Sequence, residues 1–305
     1  MQTNRFIDPL TLSRISSLEL LARGVVEGFV SGLHRSPYRG FSVEFMAYRP
    51  YMPGDDLMHL DWKLFARTDR YFIKEFEDET NTALNVLLDV SASMEFGSGA
   101  VTKRAYGSYL AAALAYLAVR QHDAVGLTLF DERVRTSLPP RSTRRHLHFL
   151  LRELESAAPG TRSAIEKPLH ELAERQRKRG FVALVSDLLD EPESIVDGLR
   201  HFRYLGHDVI VFHVIDPQEM TFPFSDLVEF EDMESGDRLT VSAEAARDVY
   251  LENLTRHQET IRRECALQGI DYVLLPTDQP LDAALFAYLA GRGGRSRARR
   301  VEPRT

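Results

Sequence analysis

The fold is decided by the stretch Leu84-Asn85-Val86-Leu87-Leu88-Asp89-Val90-Ser91-Ala92-Ser93-Met94. Its apolar run is typical of a strand that is buried on both faces of a parallel sheet. The run breaks into Asp89, Ser91 and Ser93, so oxygen-bearing side chains follow the strand at alternate positions. In open α/β sheets, ligands bind beyond the carboxyl ends of the strands. The stretch therefore predicts a central strand that leads into a binding site.

Strand and helix patterns alternate after this stretch. Short apolar runs predict further strands, and amphipathic segments between them predict helices; the runs are residues 124–130, 181–185, 208–215 and 270–275. This alternation predicts an α/β, Rossmann-like fold with a mostly parallel central sheet and helices on both faces. No period of roughly 20 to 50 residues repeats, which argues against a solenoid or a propeller.

The same patterns divide the chain into three parts. Residues 1–80 are predicted to form an N-terminal extension of helices, a turn-rich segment and edge strands. Residues 81–290 are predicted to form the α/β domain, with a β-hairpin insertion near 227–243. Residues 291–305 carry six Arg and one Glu and are predicted to be a basic disordered tail. The other interpretation of this tail is an anchor for acidic partners or phosphate.

Composition narrows the class of protein. The chain has 305 residues, 44% of them hydrophobic, which is enough for a sizeable core, and its formal net charge of -7 argues against non-specific nucleic-acid binding. Cys265 is the only cysteine, which excludes an intramolecular disulfide and fits a reducing compartment. The N-terminus has no signal-peptide pattern, and the longest apolar stretch, 110–119, is shorter than the roughly 20 residues that span a bilayer. We expect a soluble cytoplasmic protein.

Five side chains are predicted to meet at one edge of the sheet. Asp89, Ser91 and Ser93 follow the first strand, Thr161 lies in a helix-opening loop, and Asp187 follows the strand at 181–185. Carboxylate and hydroxyl oxygens suit Mg²⁺, Mn²⁺ or Ca²⁺, and Mg²⁺ or Mn²⁺ is the cofactor we expect. An incomplete shell would leave a position for a partner's Asp or Glu. The alternative is structural, with Ser91 as an N-cap, Ser93 as a turn residue and Asp187 as a ribose or amide acceptor.

A polar and aromatic segment precedes the first strand. Its distinctive residues are Tyr51, Gly54, Asp55, Asp56, Asp61, Trp62 and Arg67. The acids and Arg67 are predicted to form a local salt-bridge network or, alternatively, a docking surface. Trp62 is predicted to anchor the extension on the main domain or, alternatively, to contact a partner.

Both sets of residues resemble known families. Asp89-Val90-Ser91-Ala92-Ser93, Thr161 and Asp187 resemble the metal-ion-dependent adhesion site (MIDAS) of von Willebrand factor type A (vWA) domains. In that family these positions bind Mg²⁺ directly or through water, and a ligand's carboxylate completes the shell. The block from Tyr51 to Arg67 resembles the signature of the DUF58 family, bacterial and archaeal proteins in which an N-terminal extension precedes this domain. Many relatives carry N-terminal membrane helices, which this sequence lacks.

The resemblance implies a chaperone-like, protein-binding adaptor that is not an enzyme. DUF58 proteins are commonly encoded beside MoxR-type AAA+ ATPases. The resemblance therefore suggests an adaptor that works with such an ATPase in assembly, activation or metal insertion of client proteins. A client would supply the Asp or Glu that completes the metal shell. Because a fold hosts many functions, this step is an analogy.

The alternative function is a Mg²⁺-dependent phosphotransferase or hydrolase with Asp89 as nucleophile. Two features argue against it: the second residue after Asp89 is Ser91 instead of an acid, and no lysine adjoins Asp187 in the sequence. Neither a Gly-x-Gly-x-x-Gly nor a Gly-x-x-x-x-Gly-Lys-Ser/Thr motif is present, so dinucleotide binding and ATP hydrolysis are not expected of this chain.

Overall fold

A computed structural model of the chain describes residues 9–12, 14, 17–35, 47–50, 72–75, 83–162, 164–176 and 178–299. In chain order the elements are α1 (Pro9–Leu12), α2 (Leu18–Arg35), β1 (Ala47–Pro50), β2 (Phe72–Glu75), β3 (Ala83–Asp89), a 3₁₀ turn (Ala92–Glu95), α3 (Lys103–Arg120), β4 (Ala124–Phe130), β5 (Val134–Arg141), α4 (Arg144–Ser156), α5 (Glu166–Arg175), β6 (Phe181–Ser186), α6 (Pro192–Tyr204), β7 (Asp208–Ile215), α7 (Pro217–Thr221), β8 (Leu227–Glu231), β9 (Arg238–Ser242), α8 (Ala243–Leu267), β10 (Asp271–Pro276) and α9 (Asp282–Arg299).

The main sheet of the described region has six strands in the order β10-β7-β6-β3-β4-β5. Every neighbouring pair is parallel except β4 and β5, which are antiparallel. From β3 the chain first builds β4 and β5 on one side, and it then returns to add β6, β7 and β10 on the other. The strand order therefore reverses between β3 and β6, and such a switch point is where open α/β sheets bind ligands. The predicted mostly parallel α/β fold is confirmed.

Helices cover both faces of this sheet. Within β3, Leu84, Val86 and Leu88 belong to one buried apolar cluster, whereas Leu87 belongs to the other. This alternation follows from the two-residue period of a strand. Helices α2, α3, α4 and α9 contribute to the first cluster, and α5, α6 and α8 contribute to the second. The central strand is therefore apolar on both faces, as a doubly covered strand must be.

Helix α2 from the N-terminal part of the chain packs into the main core. Leu21, Val25 and Val26 are buried in the same cluster as the sheet residues. Phe29 is also buried, and its ring meets that of Phe286 edge to face, with 4.7 Å between the centroids. The N-terminal helix and the α/β sheet thus share one apolar interior.

The edge of the sheet explains a glycine inside β4. The pairing of β4 with β5 shifts register between Val125 and Leu127, which flank Gly126. A Cβ atom at Gly126 would lie 2.8 Å from the carbonyl oxygen of Leu138. The backbone of β5 therefore comes too close for any side chain at this position.

The smaller elements lie outside the main sheet. Strands β1 and β2 pair antiparallel, and β8 and β9 pair antiparallel as a hairpin inside residues 227–243. Helix α9 continues through Arg299 and so includes residues 291–299, for which the sequence predicts a disordered tail. Extending a helix that is already anchored by Leu285 and Tyr288 costs much less than nucleating a new one. Of the helices in the described ranges, none is long and apolar enough to cross a membrane.

Candidate metal centre

The switch point brings two carboxylates together. β3 ends at Asp89 and its neighbour β6 ends at Ser186, which is followed by Asp187. Both aspartates are buried, and the charge of Asp187 acts on Asp89. The sequence-based expectation that these two side chains meet at one edge of the sheet agrees with this arrangement, because parallel neighbours end at the same edge.

Each oxygen of Asp89 accepts a hydrogen bond from a nearby residue. The backbone N–H of Ser91 donates to Oδ1 at 2.9 Å, and the hydroxyl of Ser186 donates to Oδ2 at 2.7 Å. The Oγ atoms of Ser91 and Ser93 lie 3.1 Å apart, so the two predicted hydroxyl ligands are neighbours. Asp89, Ser91 and Ser93 therefore form one compact group of oxygen atoms at the end of β3.

The electrostatics of this group favour a cation. Burial, together with the charge of Asp187, raises the pKa of Asp89 from 3.8 to about 7, and the hydrogen bonds from Ser186 and Ser91 oppose this rise. A buried carboxylate beside a second carboxylate is costly to ionise, and a bound divalent cation would remove that cost.

The loop that carries Thr161 is attached to the loop after β3 by two backbone hydrogen bonds. The N–H of Gly160 donates to the carbonyl of Val90 at 2.5 Å, and the N–H of Ala92 donates to the carbonyl of Thr161 at 2.8 Å. A Cβ atom at Gly160 would lie 2.5 Å from the Val90 oxygen, so this close approach requires glycine. Thr161 is thus placed beside the Asp-x-Ser-x-Ser segment.

The hydroxyl of Thr161 contacts an acid that sequence reasoning missed. Thr161 Oγ1 donates to Asp131 Oδ2 at 3.3 Å, and the Thr161 N–H donates to the same oxygen at 3.1 Å. Arg135 Nε donates to this oxygen at 2.7 Å. Burial would raise the pKa of Asp131, but the hydrogen bonds from Arg135 and Thr161 hold it below its usual value. Asp131 directly follows β4, so the strand-end pattern that singled out Asp89 also marks this residue.

Asp187 contacts a buried lysine that the sequence does not place near it. Lys103 Nζ donates to Asp187 Oδ2 at 2.8 Å and to Glu219 Oε1 at 2.7 Å, and Lys103 is 1% exposed. No lysine is a sequence neighbour of Asp187, but the folded chain does place one beside it, because α3 begins at Lys103 next to the end of β6. The sequence-based argument against a positive charge near Asp187 is therefore wrong. In the sequence, a lysine in the first turn of a helix has the pattern of a surface residue, so only the tertiary contact reveals it.

The donor set fits a hard divalent cation. Asp187 Oδ1 is buried, and no described residue forms a hydrogen bond with it. Across the described ranges, no group of three or more His, Cys, Asp and Glu side chains is arranged to hold a metal ion. A centre here would thus depend on the hydroxyls of Ser91 and Ser93 together with the two carboxylates. Such an all-oxygen set suits Mg²⁺ or Mn²⁺ and not Zn²⁺.

A cleft opens beside this group. Its volume is about 340 Å³, and its lining combines apolar and acidic side chains: Ser93, Phe96, Lys103, Leu189, Glu219, Glu231, Asp232, Met233 and Glu234. Glu231 ends β8, and Asp232, Met233 and Glu234 lie in the connection 232–237 that joins β8 to β9. The hairpin therefore forms one wall of the approach to Ser93.

A polar and aromatic set of residues precedes β3 in the sequence. The set Tyr51, Gly54, Asp55, Asp56, Asp61, Trp62 and Arg67 lies outside the described residues. Their predicted role in a salt-bridge network or docking surface stays a prediction.

Known proteins resemble this chain over most of its length. Uncharacterized protein Rv1480 of Mycobacterium tuberculosis (strain ATCC 25618 / H37Rv) is 27% identical over 291 residues, which cover 93% of this chain and 90% of that protein. Uncharacterized protein MAV169 of Mycobacterium avium is 26% identical over 167 residues, which cover 52% of this chain and 94% of that protein.

Solved structures with a similar chain path include three proteins of low sequence identity. The conserved hypothetical protein BatB from Bacteroides thetaiotaomicron is 14% identical with a TM-score of 0.48, covering 70% of this chain and 99% of that one. An aerotolerance-related membrane protein from Bacteroides fragilis is 18% identical with a TM-score of 0.48, and the match covers 68% of this chain and 98% of that one. The SpRpn10 VWA domain is 12% identical with a TM-score of 0.38, and the match covers 67% of this chain and 93% of that one.

The family comparison covers more than half of the chain. The family described as Protein of unknown function DUF58 matches residues 47–260, a range that includes Asp89, Thr161 and Asp187. This chain belongs to the DUF58 family.

Proposed function

We propose that this chain is a non-catalytic, divalent-metal-dependent protein-binding adaptor. Membership of the DUF58 family and the α/β fold suggest a role in protein interaction. The observation that carries the metal-dependent part is the pair Asp89 and Asp187 at the switch point, with one buried oxygen, Asp187 Oδ1, that has no hydrogen-bond partner in the described region.

In this proposal Asp89, Ser91, Ser93 and Asp187 hold Mg²⁺ or Mn²⁺, and Thr161 contributes its hydroxyl directly or through water. When bound, the cation supplies an open coordination position for an outside carboxylate. The chain's own contacts keep the ligands in place: Ser186 holds Asp89 Oδ2. Preorganised ligands reduce the cost of binding, so these supporting contacts raise affinity for both cation and partner.

The partners in this proposal are a client protein that offers an Asp or Glu to the cation and a MoxR-type AAA+ ATPase. The resemblance to DUF58 proteins is what supports both, and they would act together in assembly, activation or metal insertion of the client. A reducing compartment such as the cytoplasm fits a chain whose single cysteine, Cys265, is buried and free.

Calorimetric titration of the purified chain with Mg²⁺ and Mn²⁺ tests the metal. We expect saturable binding to the wild-type chain and none to Asp89→Ala. Asp248→Ala removes an exposed acid on α8 and serves as the matched control, which should bind like the wild type. If the wild-type chain binds neither cation, or if Asp89→Ala binds both as well as Asp248→Ala does, the metal centre is refuted.

Affinity capture tests the partners. Wild-type and Asp89→Ala baits are compared in Mg²⁺ and then in chelator, and captured proteins are identified by mass spectrometry. We expect a MoxR-type ATPase and a client to be retained by the wild-type bait in Mg²⁺ and lost under the other three conditions. Capture that is equal in all four conditions would show that the metal plays no part in partner binding.

The structure bears on the enzyme alternative in two opposite ways. Lys103 provides a positive charge near Asp187, which removes one of the two objections from the sequence. Its ammonium is already paired with two carboxylates, however, and Asp89 with a pKa of about 7 is largely protonated below neutral pH and then a poor nucleophile. Turnover of a phosphoester panel that disappears in Asp89→Asn would favour the enzyme.

A further inference from the structure

Lys103 is a buried cation that belongs to the proposed metal centre. It is the first residue of α3, after the N-cap residue Thr102, and it is 1% exposed. A fully buried lysine needs partners of opposite charge. Its partners are Asp187 Oδ2 at 2.8 Å and Glu219 Oε1 at 2.7 Å. The lysine therefore bridges the end of β6 to the short helix α7.

Glu219 holds the lysine from the second side and is itself fixed. Glu219 Oε2 accepts a hydrogen bond from the backbone N–H of Asp216 at 2.8 Å, as part of a capping box at the start of α7. Asp216 in turn accepts a hydrogen bond from the N–H of Ser98 at 2.8 Å. Because Glu219 is fixed by the capping box, it holds the Lys103 ammonium from one side while Asp187 accepts from the other, and moving the ammonium away from Asp187 would break a buried ion pair.

This arrangement divides the two oxygens of Asp187. Oδ2 is occupied by the ammonium of Lys103, whereas Oδ1 is buried with no hydrogen-bond partner among the residues that are described. A cation at Oδ2 would lie close to the Lys103 ammonium and be repelled by its charge, so Oδ1 is the oxygen that Asp187 can offer to a metal ion. Ca²⁺ takes six to eight oxygen ligands and often binds a carboxylate through both oxygens, whereas Mg²⁺ requires about six in near-octahedral geometry and accepts single oxygens and waters.

We propose that Lys103 determines which divalent cation the centre accepts, favouring Mg²⁺ and Mn²⁺ over Ca²⁺ by holding Asp187 to one free oxygen. The inference rests on the proposed metal centre. It assigns Lys103 the role of a positioning residue that fixes the orientation of a ligand without contacting the cation. Replacing the ammonium by an apolar side chain frees Oδ2 and permits two-oxygen binding of Ca²⁺ by Asp187.

The test uses the double variant Lys103→Met with Glu219→Gln. It removes one positive and one negative charge, so the net charge near the centre is unchanged and no unpaired carboxylate is left on α7. The amide carbonyl that Glu219→Gln introduces can still accept the capping bond from the Asp216 N–H. Lys167→Met, which removes an exposed lysine on α5, is the matched control. Affinities for Mg²⁺, Mn²⁺ and Ca²⁺ are measured by calorimetry and by cation-dependent shifts in Tm.

We expect the ratio of Ca²⁺ to Mg²⁺ affinity to rise about tenfold or more in the double variant, since ligand number tunes Ca²⁺ affinity. The ratio should not change in Lys167→Met. An unchanged ratio in the double variant overturns the role of Lys103 while leaving the metal centre intact. Failure of the wild-type chain to bind any of the three cations overturns the proposed function itself, and with it this inference.

Folding of the variant has its own readout. If the double variant folds only when a divalent cation is present, the cation concentration at half-folding, followed by circular dichroism, reports the same affinity ratio by linkage. A Ca²⁺ to Mg²⁺ affinity ratio from these concentrations that is about tenfold or more above the calorimetric ratio of the wild-type chain supports the proposal. A ratio equal to that of the wild-type chain, or below it, contradicts the proposal.

Discussion

Replacing Asp89 with Asn changes the stability of the metal-free protein in a pH-dependent way. Burial, reinforced by the charge of Asp187, raises the pKa of Asp89 from 3.8 to about 7 in the folded state. Each pKa unit corresponds to about 1.4 kcal/mol, so keeping Asp89 ionised in the folded state costs roughly 4 kcal/mol relative to the unfolded chain. Asn is uncharged and close in shape, and it avoids that cost.

The direction in which stability changes with pH depends on proton binding by Asp89. The folded state holds the Asp89 proton more tightly than the unfolded state does, so the stability contributed by the protonated carboxyl is fully present below pH 3.8. It is lost as the pH rises from there through about 7. The free energy of unfolding of Asp89→Asn should therefore be larger than that of the wild type by roughly 4 kcal/mol at pH 8 and by under about 2 kcal/mol at pH 5.

The assay is thermal and urea unfolding of both proteins in chelator from pH 5 to pH 8. At about 2 °C per kcal/mol for a chain of this size, we expect Asp89→Asn to unfold roughly 8 °C above the wild type at pH 8. The gap should narrow steadily towards pH 5. A variant that is less stable than the wild type at pH 8, or a gap that does not depend on pH, would refute the reasoning.

Added Mg²⁺ acts on the same stability difference in the opposite direction. A cation that binds the folded wild-type chain stabilises it by mass action, whereas Asp89→Asn has lost a charged ligand and should gain little. We therefore expect the difference in Tm at pH 8 to shrink or change sign as Mg²⁺ is added. If both proteins respond equally to Mg²⁺, Asp89 is not a ligand.

Three further predictions concern the core, the loop at the site and the cysteine. Phe29→Ala should destabilise the whole chain by about 3–5 kcal/mol in urea unfolding, because this buried ring joins α2 to the main core, and two separate transitions would contradict that. Gly160→Ala should lower stability by about 1–3 kcal/mol and weaken Mg²⁺ binding in calorimetry, while Gly99→Ala, which has open space around it, should do neither; equal effects would refute the close approach to Val90. Burial raises the pKa of the Cys265 thiol to about 12, so a thiol reagent should label it only after denaturation, and rapid labelling of the folded chain would contradict its burial.

Local patterns in the sequence predicted most of the elements well. The amphipathic segment before the strand at 124–130 forms α3, and the Thr102 hydroxyl caps it by accepting a hydrogen bond from the N–H of Ala105. A segment after that strand forms α4, which Thr143 caps in the same way. These features could be predicted because apolar periodicity and capping depend on residues only a few positions apart.

The last helix shows where local reasoning fails. The Gly and Arg residues after 290 have the composition of a disordered tail, yet 291–299 continue α9. The sequence also offers no reason for Gly126 inside β4. The reason is that the backbone of β5 comes too close to leave room for a side chain there. At Gly126 the deciding interaction comes from the neighbouring strand, whereas residues 291–299 extend a helix that Leu285 and Tyr288 already anchor.

The burial of β3 on both faces and the polar residues Asp89, Ser91 and Ser93 at its end could be predicted from the sequence, since an apolar run and its polar end are local properties. Three features became visible only in the folded chain: β6 lies beside β3, Gly160 fits against Val90, and Lys103 pairs with Asp187 across 84 positions of sequence. The physical reason is that strand order and buried ion pairs arise from packing between elements. Residues far apart in the chain come together there, exclude water and pair their opposite charges.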